Sequence, residues 1–302
     1  MVVVKLKGGL GNQMFQYCLF LAFKQKNIKV CLDISSYSNS TDYIHNGFEL
    51  SKVFNINQNL DCILISSPFK DELKFFKTRE YLGRLFFSNP NLFLKKSHFV
   101  EENYSFYYSY IFKKNNTYLD GYWQSQNYFS DFKNLVINTF EWSSISPRNL
   151  LLAKQFSNEN SISMHIRRYD KLRTFKDLLY KLKLFFVFRV ADKNYYNKAI
   201  EYINFNVSQP KFYIFTNNPG WVRSNFSLKN NFMLIDHNSG DNSYQDMFLM
   251  SKCKHNIISI STFSWWSAWL NQYHKKIIIC PSKWALKLKK DFHTIPNDWI
   301  RL

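Results

Sequence analysis

The residues best suited to chemistry stand in one run, His165-Ile166-Arg167-Arg168-Tyr169-Asp170-Lys171, at the end of a strand that begins at Ser161. An arginine fork holds a phosphate through two parallel, charge-assisted hydrogen bonds. Two adjacent arginines can neutralise a diphosphate leaving group as its charge grows. Asp170 can orient one of these guanidinium groups, and His165 serves either chemistry or structure. A second run, Ser261-Thr262-Phe263-Ser264, precedes a helical pattern carrying Trp265, Trp266 and Trp269. Hydroxyls and free N–H groups at a helix start make an anion site; the same residues also read as plain N-caps with the tryptophans in the core. Asp246 either accepts hydrogen bonds from a base or ribose or caps its own helix. The turn Gly8-Gly9-Leu10-Gly11-Asn12 precedes a helix but lacks dinucleotide-fingerprint and P-loop spacing, so ligand-binding and structural readings both stand. There is no D-x-D pair. Positive side chains and helix dipoles must therefore do what a chelated cation does elsewhere.

These residues need a scaffold that delivers them to one edge. Residues 2–6 read as a buried strand, 14–25 as a helix and 28–32 as a second strand ending at Asp33, an opening βαβ unit. Asp33 is a candidate general base and also a natural cap for the Ser35-Ser36 turn. Residues 60–110 are aromatic and lysine-rich without periodicity, and no element is predicted there. Short strands are predicted at 117–119, 161–166, 211–215, 231–235, 256–259 and 276–280, with helical stretches between several of them. That alternation predicts a second doubly wound α/β domain. The polar stretch 143–147 places the division between 1–145 and 146–302. At 302 residues the chain suits two domains of roughly 150 residues, and two domains imply a cleft.

Forty Lys plus Arg against twenty-two Asp plus Glu give a net charge of +18, which attracts nucleic acid, an anionic leaflet or phosphorylated substrates. A nucleic-acid-binding protein needs basic clusters within a known module, and none occurs. The five cysteines are odd in number, widely spaced and without a C-x-x-C pair, so neither a disulfide framework nor a zinc site is indicated. A reducing cytoplasm is the simpler setting. No signal peptide is read at residues 14–23, and no stretch reaches the roughly 20 apolar residues of a spanning helix. Residues 176–190 place Leu178, Leu179, Leu182, Phe185, Phe186 and Arg189 on one helical face, which fits either a buried helix or a peripheral membrane contact.

Seven segments in register carry a resemblance over nearly the whole chain: KLKGGLGNQMFQY from Lys5, HNGFELSKVFNI from His45, YLDGYWQSQNYF from Tyr118, HIRRYDK from His165, DKNYYNKAIEYI from Asp192, FYIFTNNPGWVR from Phe212 and SKCKHNIISISTFSWWSAWLN from Ser251. Together they resemble the alpha-1,2-fucosyltransferases of glycosyltransferase family 11, above all bacterial enzymes of surface-polysaccharide synthesis, including O-antigen. The resemblance implies an α/β fold of the GT-B type, with two facing Rossmann-like domains, an N-terminal acceptor side and a C-terminal donor side. It implies inverting, metal-independent transfer of L-fucose from GDP-fucose to a hydroxyl, O-2 of a galactoside, or the use of another GDP-deoxysugar or linkage. Arg167, His165, Asp170 and Asp33 are the catalytic candidates. Arg168, Asp246, Ser261, Thr262, Phe263 and Ser264 are donor-binding candidates, joined by Gly9, Gly11 and Asn12 of the N-terminal motif. The implied partner is a galactose-containing glycan, lipid-linked in some systems, which places the protein at the inner face of the cytoplasmic membrane. Tyr169 and Lys171 depart from the usual run toward the H-x-R-R-x-D-K of alpha-1,6-fucosyltransferases. Asn217 and Asn218 replace an aspartate pair, Ile260 an asparagine and Ser267 a glycine.

Overall fold

The computed structural model describes residues 1–37, 46–56, 63–64, 98–101, 108–113, 116–168, 191–226, 231–284 and 293–302. The chain divides into two compact units, Met1–Ser143 with Asp291–Thr294, and Ser144–Lys290 with Ile295–Leu302.

Unit 1 holds β1 (Val2–Lys5), β2 (Val30–Asp33), β3 (Ile63–Leu64), β4 (His98–Val100) and β5 (Tyr118–Asp120), in the order β3-β2-β1-β5-β4. Every pair is parallel. β1 sits at the centre with Val2, Val3 and Val4 fully buried, as a strand covered on both faces must be. The turn to α1 (Leu10–Gln25) runs through Gly8 at φ +81°, where a side chain is strained and a Cβ would lie 2.5 Å from Asn12 Nδ2. α1 is apolar nearly all round and buried from Met14 to Phe23, so it is a core helix. Just past its end stands Asn27, whose φ of 55° is the left-handed stop that asparagine tolerates. The helix starts four residues earlier than the sequence pattern suggested, because Leu10 to Gln13 form its first turn. Short helices α2 (Leu50–Val53), α3 (Tyr108–Ile111) and α4 (Lys133–Thr139) complete the unit. Cys31 is disulfide-bonded, unlike Cys18 and Cys253, which are free and buried. The odd count and wide spacing of the cysteines carried no signal for that bond.

Unit 2 is a parallel six-stranded sheet ordered β11-β10-β9-β6-β7-β8, made of β6 (Ser161–Ile166), β7 (Lys211–Thr216), β8 (Phe232–Ile235), β9 (His255–Ile257), β10 (Ile278–Cys280) and β11 (Ile300–Arg301). The helices α5 (Pro147–Asn158), α6 (Lys193–Asn206), α7 (Pro219–Asn225), α8 (Tyr244–Lys252) and α9 (Thr262–Leu270) alternate with the strands. Three of them start at side-chain caps: Ser146, Asp192 and Asn218 accept from the N–H groups of Asn149, Tyr195 and Trp221. Prolines at the first helical positions of α5 and α7 sharpen the starts. α6 buries Tyr195, Tyr196, Ala199 and Ile203 on β6, β7 and β9. The chain runs from β6 outward through β7 and β8, then returns to lay β9 on the other flank of β6. The carboxyl ends of β6 and β9 thus form a topological switch point, where open α/β sheets bind ligands.

Candidate functional site

At that switch point the two strands are tied by a side-chain bond. His165 is nearly fully buried; its Nδ1 lies 2.8 Å from Ser259 Oγ, and its ring centroid lies 6.0 Å from that of Phe263. The Tyr196 hydroxyl donates to the His165 carbonyl at 2.9 Å, and the Tyr195 hydroxyl donates to the Ile258 carbonyl at 2.6 Å. Burial, assisted by the charge of Arg167, pushes the imidazole down to about 3. His165 is therefore a neutral brace at neutral pH. The DKNYY segment is its support.

Arg167 and Arg168 leave the end of β6 partly exposed. Asn217, just past β7, grips Arg168 twice: its Oδ1 accepts from the Arg168 N–H at 2.8 Å and its Nδ2 donates to the Arg168 carbonyl at 2.6 Å. The Arg168 guanidinium lies 4.4 Å from the ring centroid of Trp221. Asn218 caps α7 and so fixes the turn that presents Trp221. A guanidinium held at both its backbone and its face needs little reorganisation to meet a phosphate.

On the neighbouring strand, Ser261 is the extended N-cap of α9, and its side chain makes no capping bond. Ser264 turns its hydroxyl back to the Ser261 carbonyl at 3.2 Å. Ser261, Thr262 and Phe263 are partly exposed, whereas Ser264, Trp265, Trp266 and Trp269 are buried. The tryptophans are core, and the opening turn of α9 is what faces outward at the edge. Asn256 anchors this region from beneath, donating to Ser163 Oγ at 2.7 Å and to the Met250 carbonyl at 2.8 Å, and accepting from Asn271 at 2.7 Å. The long segment from Ser251 therefore mixes scaffold with site.

Asp246 belongs to the first turn of α8. Its Oδ1 accepts from Asn238 Nδ2 at 2.7 Å, within a chain of amides that continues to Asn149 and His237. Burial, with Asp236 nearby, raises its carboxyl to about 7 even though part of the side chain remains open to solvent. A cavity of about 230 Å³ between α5 and β8, lined by Arg148, Met233, Asp236 and His237, contains none of the residues that the sequence offered as site candidates.

The unit 1 candidates fare differently. Leu10 N–H at the start of α1 already donates to Glu49 Oε2 at 3.1 Å, so a carboxylate of the chain itself holds that helix end. Gly9 is the extended N-cap, Gly11 is buried in the helix, and Asn12 Oδ1 accepts from Gln124 at 2.9 Å. Asp33 is fully buried, accepting the Ser35 N–H at 2.8 Å and the Tyr118 hydroxyl at 2.6 Å. That is the capping role the sequence left open, and a carboxylate so enclosed has no approach to an acceptor hydroxyl. The sequence did not single out the charged cluster at this edge: Lys5 and Lys7 both bridge Asp120, at 2.7 and 2.5 Å, beside Glu101. Lys5, Lys7 and Asp120 stand inside the quoted motifs, but Glu101 lies within the stretch 60–110 that shows no periodicity. Asp170, Tyr169, Lys171 and residues 176–190 lie outside the described residues. Among the described residues no group of His, Cys, Asp or Glu is arranged for a metal, and no helix is long and apolar enough to cross a membrane.

The family model described as Glycosyl transferase family 11 matches residues 1–301. The chain is 31% identical to an alpha-1,2-colitosyltransferase of Escherichia coli, covering 100% of this chain and 98% of that one. It is also 31% identical to the O-antigen biosynthesis glycosyltransferase WbnK of Escherichia coli, over 98% of this chain and 99% of the relative. Among solved structures, the selenomethionine form of the fucosyltransferase NodZ from Bradyrhizobium aligns with a TM-score of 0.51 over 88% of this chain and 90% of that chain, at 13% identity. At that identity the likeness is one of fold alone, and the fold is α/β of the GT-B type.

Proposed function

The chain belongs to glycosyltransferase family 11 and is a glycosyltransferase, and from that premise we propose that it transfers L-fucose from GDP-fucose to O-2 of a galactoside in a surface-glycan acceptor. The acceptor hydroxyl attacks the anomeric carbon in a single displacement, with inversion, while GDP departs through an oxocarbenium-like state. The carrying observation is the arginine pair at the switch point of unit 2, with Arg168 clamped by Asn217 and stacked on Trp221. Arg167 and Arg168 take the diphosphate charge, Ser261 to Ser264 offer hydroxyls and the open first turn of α9, and Asp246 accepts from the base or ribose. Unit 1 is mainly the acceptor side in this reading. Asp170 orients an arginine. No metal takes part in this scheme, and the reaction runs in the cytoplasm on a galactose-containing glycan.

The full-length colitosyltransferase relative favours a second reading, the same chemistry with another GDP-deoxysugar. Incubating the chain with GDP-fucose, other GDP-deoxysugars and galactoside acceptors, with mass detection and linkage analysis, separates the two. Transfer from GDP-fucose alone supports the first reading and transfer from a different deoxysugar nucleotide the second. A chain that transfers from none and does not bind GDP rejects both.

A further inference from the structure

The carboxyl edge of unit 1 has its own switch point, between β1 and β5, because the chain runs from β1 outward to β2 and β3 and comes back to place β5 on the other flank. Lys5 ends β1, Lys7 follows it, Asp120 ends β5 and Glu101 follows β4. Two ammonium groups and two carboxylates therefore converge where an open sheet admits a ligand. Their pairing is unequal. Asp120 takes both lysines, at 2.7 and 2.5 Å, while Lys7 also lies 4.6 Å from the ring centroid of Tyr122. Glu101 has no direct lysine contact among its described bonds. Its Oε2 accepts from the Tyr122 N–H at 2.6 Å and the Trp123 N–H at 3.1 Å, and its Oε1 only from the Trp123 N–H, at 3.1 Å.

A carboxylate has about four lone-pair sites. The backbone bonds leave Oε1 with capacity, and Glu101 keeps part of its surface open to solvent. The turn it grips is built tightly around it: a Cβ on Gly121 would lie 2.5 Å from Glu101 Cβ, and Trp123 is held at φ +55°. Strain of this kind persists where the surroundings fix a side chain in place. The two carboxyls are also driven apart in acidity. Asp120 stays low because Lys7 and Lys5 together outweigh its burial, whereas burial lifts Glu101 to about 7 against the Tyr122 and Trp123 N–H groups and Lys7. A carboxyl poised near neutrality beside one kept ionised is the division of labour that acid–base sites use.

We infer that Glu101 is the general base that takes the proton of the acceptor hydroxyl, a role for which Asp33 was a candidate. The inference rests on the glycosyl transfer proposed above. As the acceptor oxygen forms its bond to the anomeric carbon, the bond from that carbon to the GDP oxygen breaks and its electron pair leaves with GDP. The acceptor proton passes to Glu101 Oε1 and from there to water. Asp120, Lys5 and Lys7 hold the surrounding charge and orient the acceptor.

Glu101→Gln keeps the size of the side chain and an oxygen to accept the Tyr122 N–H, and removes the base. Calorimetry with GDP, transfer to a galactoside followed by mass detection, and the pH dependence of kcat test it in the full chain. The expected result is GDP affinity within about twofold of the unmodified chain and transfer slower by about a hundredfold. The unmodified chain is also expected to lose activity as pH falls through about 7, a limb that the variant lacks. Near-normal transfer by Glu101→Gln, or an unmodified profile flat through that range, overturns the role of Glu101 while GDP binding keeps the donor reading intact. Failure of the unmodified chain to bind GDP overturns the donor reading and this role together. Where Glu101→Gln does not fold, Glu101→Asp, which keeps the carboxyl but draws it back from the acceptor, takes its place: slower transfer with unchanged GDP affinity supports the role, and unchanged transfer overturns it.

Discussion

The Arg168 guanidinium rests 4.4 Å from the Trp221 ring centroid, while Asn217 grips the Arg168 backbone through both its amide atoms. The two contacts do different things. The indole face orients the charge, and a partly exposed cation–π contact contributes about 0.5–1 kcal/mol, so Trp221→Ala should weaken GDP binding about threefold. Asn217 fixes where the arginine leaves the strand, and losing two hydrogen bonds of about 1 kcal/mol each gives Asn217→Ala a drop of about tenfold or more. Calorimetry with GDP checks both, and equal, negligible effects would remove the clamp from the donor site.

The buried imidazole of His165 carries a pH signature. Its folded value, about 3 because of burial and then Arg167, lies below the usual 6.5, so between those values the unfolded chain binds the extra proton. Stability is therefore complete above about pH 6.5 and falls as pH drops toward 3, by at most about 1.4 kcal/mol per pH unit from this group. His255, pushed down to about 4 by burial and then Lys254, contributes with the same sign. His165→Asn should flatten the acid limb of urea-derived stability without abolishing it. An unchanged limb would mean that His165 protonates freely.

How much of this was legible in the sequence differs between the units. In unit 2 the strand at Ser161–Ile166 was read to the residue, because Ile162, Met164 and Ile166 alternate with Ser161, Ser163 and His165 up to the charged Arg167. The arginine pair stands out for the same reason. β9 begins one residue earlier and ends two earlier than the pattern indicated, and just beyond it the Ile258 carbonyl accepts from Tyr195 and the Ser259 hydroxyl meets His165. β11 has only two residues and offers no pattern. In unit 1, β4 lies in a stretch where aromatic and basic residues alternate with no period, and its place is set by pairing with Tyr118 to Asp120, a contact distant in sequence. Glu101 went unseen with it. Asp33 was visible but misleading: a carboxylate at a strand end marks a sheet edge, and only the Tyr118 hydroxyl and the Ser35 N–H reveal that it points inward.

Asp246 allows its two roles to be separated. Its carboxyl, raised to about 7 by burial and then Asp236, holds a proton in the folded chain that the unfolded chain loses near 3.8. The folded state is therefore favoured at low pH and is penalised progressively as pH rises from about 4 through 7, with the full cost present above that. Asp246→Asn, which still accepts from Asn238, should be more stable than the unmodified chain at pH 8 by on the order of 1 kcal/mol, and equally stable near pH 4. If the carboxylate also receives a donor N–H or ribose hydroxyl, the same variant loses about tenfold in GDP affinity. Stabilisation with unchanged affinity would leave Asp246 a purely structural carboxyl.

Arg167 bears most directly on the leaving group. It sits between the buried His165 brace and the clamped Arg168, on a strand whose end cannot shift without breaking the His165–Ser259 tie. A fixed guanidinium stabilises charge that grows only as GDP departs, so its loss should appear in kcat more than in donor affinity. Arg167→Ala should slow transfer about a hundredfold, near 3 kcal/mol, with a smaller loss of GDP binding. Arg167→Lys keeps the charge but not the planar fork and should recover only part of the rate. Steady-state kinetics with mass-detected product, beside GDP calorimetry on the same preparations, make the comparison. Near-normal kcat and GDP affinity in Arg167→Ala would move the diphosphate away from the end of β6.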